Sequence, residues 1–321
     1  MEFELKPARF ARHSMTIVTA FVVAIYAAFI SWMWGWGTIF ALWQKAGLWA
    51  ICVALALLLS TYVLRTWRIY DYFPKETQAQ FARLFRLVQI HNLLNIMLPF
   101  RSGETSFPLL MRQEFDVRLA RGTSALLVMR LFDLHALLAA AGVGLALEKH
   151  SLTVWVLWAI FLALPVIAFV VRHRFFDVAR RIAPKKAEAL IHEMQAGLPV
   201  DGRAFMRAWG ATIINWFVKI AVLAWVLVLM GKIDLPAGFG GALGGELSSV
   251  LPVHAPGGVG TYPAGITAGA IGFGASTDKS ALSSLGQAAV NVHLLVILSS
   301  LIGTALALFV RVRKSSGDAQ A

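Results

Sequence analysis

Residues 152–171 read LTVWVLWAIFLALPVIAFVV and contain no charged side chain. Twenty such residues in a helix rise about 30 Å, which matches the hydrocarbon core of a bilayer. Similar apolar stretches occur at residues 15–37, 47–64, 124–147, 208–230 and 282–310. The sequence of 321 residues is 58% hydrophobic and only 14% charged, whereas soluble globular chains carry about 25% charged residues. An all-α polytopic membrane protein is therefore predicted, and soluble enzyme classes are excluded.

Two further apolar segments are too short to cross a bilayer. Only fourteen residues separate Arg86 from Arg101, about 21 Å of helix, and residues 235–251 form a similarly short segment with five glycines. Each segment ends in a Leu-Pro pair, Leu98-Pro99 or Leu251-Pro252, and a second apolar arm follows each pair. We therefore predict two re-entrant helical hairpins in addition to about six transmembrane helices.

The distribution of basic residues tests this arrangement. The formal net charge is +12, from 29 Lys and Arg against 17 Asp and Glu. With the N-terminus in the cytoplasm, 23 basic residues fall on the cytoplasmic side, including Arg65 and Arg68, and four fall on the opposite side. Arg130 and Lys219 remain inside spans. Because cytoplasmic loops are rich in Lys and Arg, the count supports both hairpins and predicts a multi-pass membrane protein with both termini cytoplasmic. The positive charge is explained by topology, and no nucleic-acid partner is expected.

The two halves of the chain resemble each other in inverted orientation. Leu98-Pro-Phe-Arg101 and Phe107-Pro108 match Leu251-Pro-Val-His254 and Tyr262-Pro263. In each half, two predicted spans precede the hairpin and one follows it, which is typical of inverted-repeat transporters. We predict a single transmembrane domain over residues 1–314, with inverted repeats at about 15–147 and 152–310 and a disordered tail at 315–321. The alternative, that a Pro-Gly loop recurs by chance, stays open.

Two connecting segments have apolar residues at helical spacing with charges between them. These are residues 81–88 and 187–194. The spacing predicts amphipathic helices lying on the cytoplasmic interface. Solvated loops that set the orientation of the chain are an alternative that the sequence leaves open.

Polar residues gather around the first predicted hairpin. They are Asn92, Asn95, Arg101, Glu104 and Arg112. A broken helix frees backbone groups that need a polar partner, and ionisable residues within a bilayer are costly enough to suggest function. We predict that Arg101 binds a phosphate oxygen, while Glu104 orients the arginine or takes a proton. The alternative is that Arg101 and Glu104 only neutralise each other.

A second candidate group lies in the stretch 124–147. Arg130 and Asp133 are three residues apart and therefore share a helix face, where they can form an ion pair. A buried pair contributes little net stability, so a role in substrate binding or conformational specificity is predicted. A structural pair that bridges to a neighbouring helix is the alternative. His135 is expected to be a packed side chain.

A third candidate group surrounds the second predicted hairpin. It comprises Glu246, His254, Pro256, Gly257, Gly258, Gly260 and Tyr262. Glycines allow close backbone approach, and consecutive free N–H groups can bind an anion. We expect Glu246 to couple protons or to pair with Lys219, and His254 to titrate or donate to a phosphate. Asn291 and His293 are expected to make helix–helix hydrogen bonds.

The sequence carries no catalytic motif. It has no Walker loop, HExxH, GxSxG or zinc-spaced Cys/His set, and its one cysteine is Cys52. We therefore expect no catalytic residue, no metal site, no cofactor and no internal disulfide, and we expect that the protein is not an enzyme.

The order of these motifs is similar to that of a known family. The motifs are Leu98-Pro-Phe-Arg-Ser-Gly-Glu104, Leu109-Leu-Met-Arg112, Gly122-Thr-Ser-Ala-Leu126, Arg130-Leu-Phe-Asp133 and Leu251-Pro-Val-His-Ala-Pro-Gly-Gly-Val-Gly260. Over residues 15–310 the chain resembles the lysylphosphatidylglycerol synthase transmembrane-region family, also called flippase-like domain proteins. The resemblance implies an inner-membrane protein that moves lipids or lipid-linked intermediates between leaflets. It also implies that the arginines and acids of these motifs and the 256–260 loop are signature positions.

The chain departs from this family in two ways. The multiple peptide resistance factors join the domain to a cytoplasmic aminoacyltransferase domain that this sequence does not show, so lipid aminoacylation is not expected. Many relatives also carry an acidic residue after the Gly-x-Gly loop, where this sequence has Tyr262-Pro263. A coupling carboxylate would then have to be Glu104, Asp133 or Glu246, and whether Pro263 changes the mechanism stays open.

These observations predict transbilayer translocation of an anionic lipid through a polar cavity formed by the two hairpins. Anionic phospholipids, polyprenyl-phosphate-linked lipids and hopanoid-type lipids are all candidate partners. The cargo, direction, coupling ion and oligomeric state, including a homo-oligomer, stay open.

Two other functions also fit the sequence. A non-transporting accessory subunit of a glycosyltransferase or lipid-modifying enzyme would tolerate loss of charge at Arg101 and Asp133. An ion-coupled transporter of a small anion would need a cavity closed to lipid on every side.

Overall fold

The part of the chain that the structure describes consists of helices joined by short loops and contains no strand. The structure is a computed structural model and describes residues 21, 24–149, 151–250 and 255–309. The first six helices are α1 (Ala24–Met33), α2 (Trp36–Ala46), α3 (Leu48–Tyr72), α4 (Phe81–Met97), α5 (Ser106–Phe115) and α6 (Leu119–Lys149). The next six are α7 (Leu152–Ile182), α8 (Glu188–Ala196), α9 (Gly202–Gly231), α10 (Leu235–Val250), α11 (Thr261–Gly272) and α12 (Lys279–Phe309). Short 3₁₀ segments lie at Pro99–Thr105, Lys185–Ala187 and Pro256–Gly258.

Within the described residues, five helices are long and apolar enough to cross a membrane. They are α3, α6, α7, α9 and α12, and the bent pair α1 and α2 makes a sixth if it is one span. The prediction of an all-α polytopic membrane protein is confirmed. The helices extend beyond the predicted apolar stretches: α3 continues from residue 64 to Tyr72, and α7 continues from residue 171 to Ile182.

The first predicted span, residues 15–37, does not form one straight helix in its described part. Helix α1 ends at Met33, and α2 begins at Trp36 after a bend of 82°. The bend lies at Gly35, whose φ of 76° belongs to the left-handed region that glycine adopts without steric cost. Residues 38–46 lie between two predicted spans, 15–37 and 47–64, and they are helical because α2 extends to Ala46.

Each predicted hairpin contains a pair of helices with a break between them. The first pair is α4 and α5, and the second is α10 and α11. The segment 81–88, which was predicted to be an amphipathic helix, is helical and forms the first half of α4, and Leu84 and Val88 within it are buried. Its position on the cytoplasmic interface stays a prediction. The segment 187–194 does form a short helix, α8. Re-entry into the membrane and the inverted repeat stay predictions.

The chain forms two compact units. The first unit comprises residues 1–52, 94–104 and 223–297, and the second comprises residues 53–93, 105–222 and 298–321. In the first unit, α10 packs against α11 through facing glycines: a Cβ added to Gly240 would lie 2.5 Å from the carbonyl oxygen of Gly269. In the second unit, α5, α7 and α8 pack against α6, and the core includes Phe73 and Phe107.

Candidate functional site

A carboxylate in the second unit receives hydrogen bonds from three helices. Asp133, on α6, is 2% exposed. Arg68 on α3 donates from Nη1 to Asp133 Oδ1 at 2.8 Å, and the Trp216 indole N–H on α9 donates to the same oxygen at 3.0 Å. Arg130 donates from Nη1 to Oδ2 at 3.2 Å. The i,i+3 pair of Arg130 and Asp133 is therefore present, and it belongs to a larger cluster.

Arg68 is the partner of Asp133 that the sequence did not identify. The predicted span ended at residue 64, before Arg65 and Arg68, whereas α3 continues past both residues. Their position on the cytoplasmic side stays a prediction. Arg68 is only 5% exposed, and it also donates to Thr212 Oγ1 at 2.6 Å. The span was ended at its first charged residue, but a helix can continue where a partner on another helix compensates the charge. The i,i+3 spacing of Arg65 and Arg68 was the available signal.

Arg65 connects this carboxylate to a second buried polar group. Arg65 Nη1 donates to Asn92 Oδ1 at 2.9 Å, and Asn92 Nδ2 donates to Ser300 Oγ at 3.2 Å. The charge of Arg65 also interacts with those of Asp133, Arg68 and Arg130. We call Arg65, Arg68, Arg130 and Asp133 the arginine cluster. It holds three guanidinium groups and one carboxylate, so its formal charge is +2.

Gln89 lies one helical turn before Asn92 on α4. It is fully buried, yet neither its Oε1 nor its Nε2 has a hydrogen-bond partner within the described residues. A Cβ added to Gly303 would lie 3.3 Å from both of these atoms. Nearly all buried polar side chains in proteins are hydrogen-bonded to protein or to water. The amide of Gln89 is therefore available to a polar ligand or to water.

In the first unit, the break between α4 and α5 is tied to the end of α10. Arg101 forms an ion pair with Glu104 and donates from Nη1 to the Ser249 carbonyl oxygen at 2.7 Å. Arg101 has a φ of 54°, in the left-handed region that non-glycine residues rarely adopt. The predicted proximity of Arg101 and Glu104 is confirmed, and a role in phosphate binding stays a prediction.

A buried network of aromatic and titratable side chains surrounds the second break. Tyr262 donates from its hydroxyl to Glu246 Oε1 at 2.8 Å, and its ring stacks on the His293 ring with centroids 5.1 Å apart. His293 Nε2 lies 2.8 Å from the Gly257 carbonyl oxygen, so this nitrogen carries the proton and donates. In the neutral ring, Nδ1 then accepts from the Tyr26 hydroxyl at 3.0 Å. We call these five residues the tyrosine–histidine network.

Residues 17–299 match the family described as "Lysylphosphatidylglycerol synthase TM region". The chain belongs to this family. No curated protein and no solved structure matched it. Family membership, together with the long apolar helices, establishes a multi-pass membrane protein with a function related to membrane lipids.

The glycine loop at residues 256–260 contains three glycines with positive φ angles. Gly257, Gly258 and Gly260 have φ values of 65°, 70° and 72°, which only glycine adopts readily. Gly257 and Gly258 are buried, whereas Gly260 is exposed. Pro256 begins the 3₁₀ segment, and His254 lies outside the described residues. The carbonyl of Gly257 is held by His293, for which the sequence predicted only a helix–helix bond.

The remaining predicted residues are more dispersed. Arg112 is exposed on α5, and Asn95 is half-buried with an Oδ1 that has no hydrogen-bond partner in the described part of the chain. His135 is a packed side chain, as predicted, and its ring stacks on Phe161. Asn291 donates to the Gln287 carbonyl on its own helix, whereas a bond to another helix was predicted. No group of three or more His, Cys, Asp or Glu that could hold a metal ion occurs among the residues searched.

Proposed function

We propose that this protein moves an anionic lipid or lipid-linked intermediate between the leaflets of its membrane, and that the arginine cluster binds the headgroup. The acyl or isoprenoid tail stays in the surrounding lipid. The observation that carries the proposal is a buried carboxylate paired with two guanidinium groups, Arg68 and Arg130, with the charge of Arg65 close enough to interact with it. Membership in a lipid-related membrane family supports the lipid as cargo.

The charge of the cluster favours a phosphate-bearing ligand. Removing an ion from water costs several kcal/mol even after the protein relaxes, so three guanidinium groups near one carboxylate favour the binding of a further negative charge. A phosphodiester or diphosphate group brings negative charge and oxygen acceptors that match the planar guanidinium. Within the described residues, the Nε atoms of Arg65 and Arg68 are buried without a hydrogen-bond partner. These N–H groups can donate to phosphate oxygens while the Nη atoms keep their present partners.

Neutral polar groups extend the site along α4. Asn92 is 8% exposed and already bonds Arg65 and Ser300, while both amide atoms of Gln89 are without hydrogen bonds. A glycerol or sugar hydroxyl can donate to the Gln89 carbonyl oxygen and accept from its NH₂ group. The headgroup is therefore expected to carry hydroxyls in addition to its phosphate.

Asp133 has a positioning role in this proposal. Its Oδ1 accepts hydrogen bonds from Arg68 and Trp216, and its Oδ2 accepts one from Arg130. The carboxylate thereby lowers the repulsion between the arginines and keeps them ordered when no ligand is bound. In the first unit, Arg101 with Glu104 is proposed as a separate phosphate contact, and the glycine loop at 256–260 is proposed as a gate.

Reconstitution into liposomes tests the proposal. A fluorescent anionic phospholipid is placed in both leaflets, and dithionite then destroys the fluorescence of the outer leaflet. Proteoliposomes are expected to lose the protected inner pool faster than empty liposomes do. Arg65→Gln is expected to slow this loss by at least about tenfold, which corresponds to one charge-assisted hydrogen bond of about 1.4 kcal/mol.

The matched control is Arg83→Gln, which removes the same charge from a surface ion pair with Glu114. It is expected to flip lipid like the wild type. Equal rates for wild-type proteoliposomes and empty liposomes would refute the proposal. The same experiment with a polyprenyl phosphate distinguishes the two classes of cargo.

A further inference from the structure

A second group of cationic residues lies at the C-terminal end of α7. None of its members belongs to the arginine cluster. A cleft of about 330 Å³ opens there between the end of α7, helix α8 and the segment that follows α8. Its polar lining consists of Arg172, His173, Arg180, His192 and Gln195. Among the described residues, no Asp or Glu lines the cleft. It is therefore a concave surface with two guanidinium groups and two imidazoles, and the carboxylate of Asp177 pairs with one of the two guanidinium groups.

The length of α7 places this cleft beside the headgroup layer. The helix has 31 residues, about 46 Å at 1.5 Å per residue, whereas the hydrocarbon core is about 30 Å thick. The uncharged stretch 152–171 accounts for that thickness, and Arg172 is the first charged residue after it. Most residues in the apolar part of α7 are exposed and the others are half-buried, with only Pro165 and Phe176 buried along the helix, as expected for a helix with a surface that faces lipid.

The two arginines are held in place by contacts with the protein. The Arg172 guanidinium lies 3.6 Å from the centroid of the Phe169 ring and donates to the Phe169 carbonyl oxygen at 2.6 Å. It also donates to the Val200 carbonyl oxygen at 3.3 Å. Arg180 donates to Gln195 Oε1 at 3.2 Å and to Asp177 at 2.7 Å. Guanidinium groups restrained in this way lose less entropy on binding an anion than free side chains do.

The same helix carries two other arginines that provide a comparison. Arg174 and Arg181 are exposed and do not line the cleft. All four arginines contribute equally to the positive charge that orients the chain in the membrane. Only Arg172 and Arg180 share a concave surface with hydrogen-bonding neighbours. A requirement for orientation alone would not produce this difference.

We propose that the cleft between α7 and α8 binds a phosphate ester, at a site distinct from the arginine cluster. Arg172 and Arg180 provide the charge, and the imidazoles and the Gln195 amide bind the ester's remaining oxygens or hydroxyls. The ester is either the headgroup of an anionic lipid in the adjoining leaflet or a soluble organic phosphate. The chemistry that recognises both is the same. This site does not depend on the proposed transport function.

Native mass spectrometry of the full-length protein tests the site. The protein is titrated with phosphatidylglycerol and, separately, with zwitterionic phosphatidylcholine. The double variant Arg172→Gln/Arg180→Gln is compared with Arg174→Gln/Arg181→Gln, which has the same net charge and the same helix. The cleft variant is expected to bind one phosphatidylglycerol fewer than the wild type at lipid concentrations up to about ten times those that load the wild type, while binding at the arginine cluster is retained. The control pair should bind phosphatidylglycerol like the wild type, and the zwitterionic lipid should bind equally to all variants.

A competition experiment identifies the source of the phosphate. If glycerol 3-phosphate displaces the lipid from the wild type, the phosphate ester alone is sufficient and a soluble ligand is supported. If it does not, the site is specific for a lipid headgroup. Arg172→Lys/Arg180→Lys should recover part of the binding because it restores the charge. An equal loss of lipid in both glutamine pairs, or full retention in the cleft pair, would overturn the proposal.

Discussion

Replacing Asp133 with asparagine removes the carboxylate on which the arginine cluster depends. Asp133 accepts hydrogen bonds from Arg68 at 2.8 Å, Trp216 at 3.0 Å and Arg130 at 3.2 Å. The substitution raises the formal charge of the cluster from +2 to +3, and the new NH₂ group cannot accept from a guanidinium. Removing one partner of a buried ion pair typically costs about 3–5 kcal/mol. The free energy of unfolding is expected to fall by about that amount.

Thermal unfolding of the purified protein measures this effect. With an unfolding entropy of about 2.1 cal/mol/K per residue, 321 residues give about 0.7 kcal/mol/K, so Tm is expected to fall by roughly 4–8 °C. Asp71→Asn is the matched control, since Asp71 pairs with the half-exposed Arg207, and surface pairs contribute about 0–1 kcal/mol. Its Tm is expected to change by less than about 2 °C.

A double variant separates the charge imbalance from a general loss of packing. Asp133→Asn/Arg68→Gln returns the cluster to +2, so it is expected to be less destabilised than the sum of the two single variants, by at least about 1 kcal/mol. Additive single effects, or an Asp133→Asn protein whose Tm equals that of the wild type, would refute the reasoning.

Two further predictions concern the first unit. Gly240→Ala is expected to lower Tm by several degrees, because its Cβ would lie 2.5 Å from the Gly269 carbonyl oxygen and from the Phe273 side chain. Gly272→Ala is the control and is expected to have little effect, because no atom lies within 4 Å of its added Cβ. Equal Tm values for the two variants would contradict the close packing of α10 and α11. Tyr262→Phe removes the hydroxyl that donates to the buried carboxylate of Glu246, and chemical denaturation is expected to show a loss of about 1–3 kcal/mol. Tyr70→Phe, at a half-buried tyrosine, is its control, and a Tyr262→Phe protein as stable as this control would argue against a stabilising bond.

The sequence predicts features that depend on one segment of the chain. An apolar stretch of about 20 residues needs no other information to be recognised as a span, and the long helices bear this out. The spacing of Arg130 and Asp133 predicts their contact because a helix brings residues three positions apart onto one face. Likewise, the glycines at 257, 258 and 260 indicate a loop with positive φ.

Contacts between distant helices were not predictable in this way. Arg68 and Asp133 are 65 positions apart, and their meeting depends on how α3 and α6 pack. A charged residue near the end of an apolar stretch is consistent with the end of a helix until its partner is known, so the predicted span stopped before Arg65 and Arg68. The contact between His293 and Gly257 was not predicted for the same reason, because the two residues are 36 positions apart in the sequence.

The most direct measurement compares the flipping rates of an anionic and a zwitterionic fluorescent phospholipid in the same proteoliposomes. If the arginine cluster selects a phosphate-bearing anion, the wild type should flip phosphatidylglycerol at least about tenfold faster than phosphatidylcholine. In Arg65→Gln the ratio should fall towards one, whereas Arg83→Gln should retain it. Equal rates for the two lipids in the wild type, or a ratio that Arg65→Gln leaves unchanged, would contradict headgroup binding by the cluster.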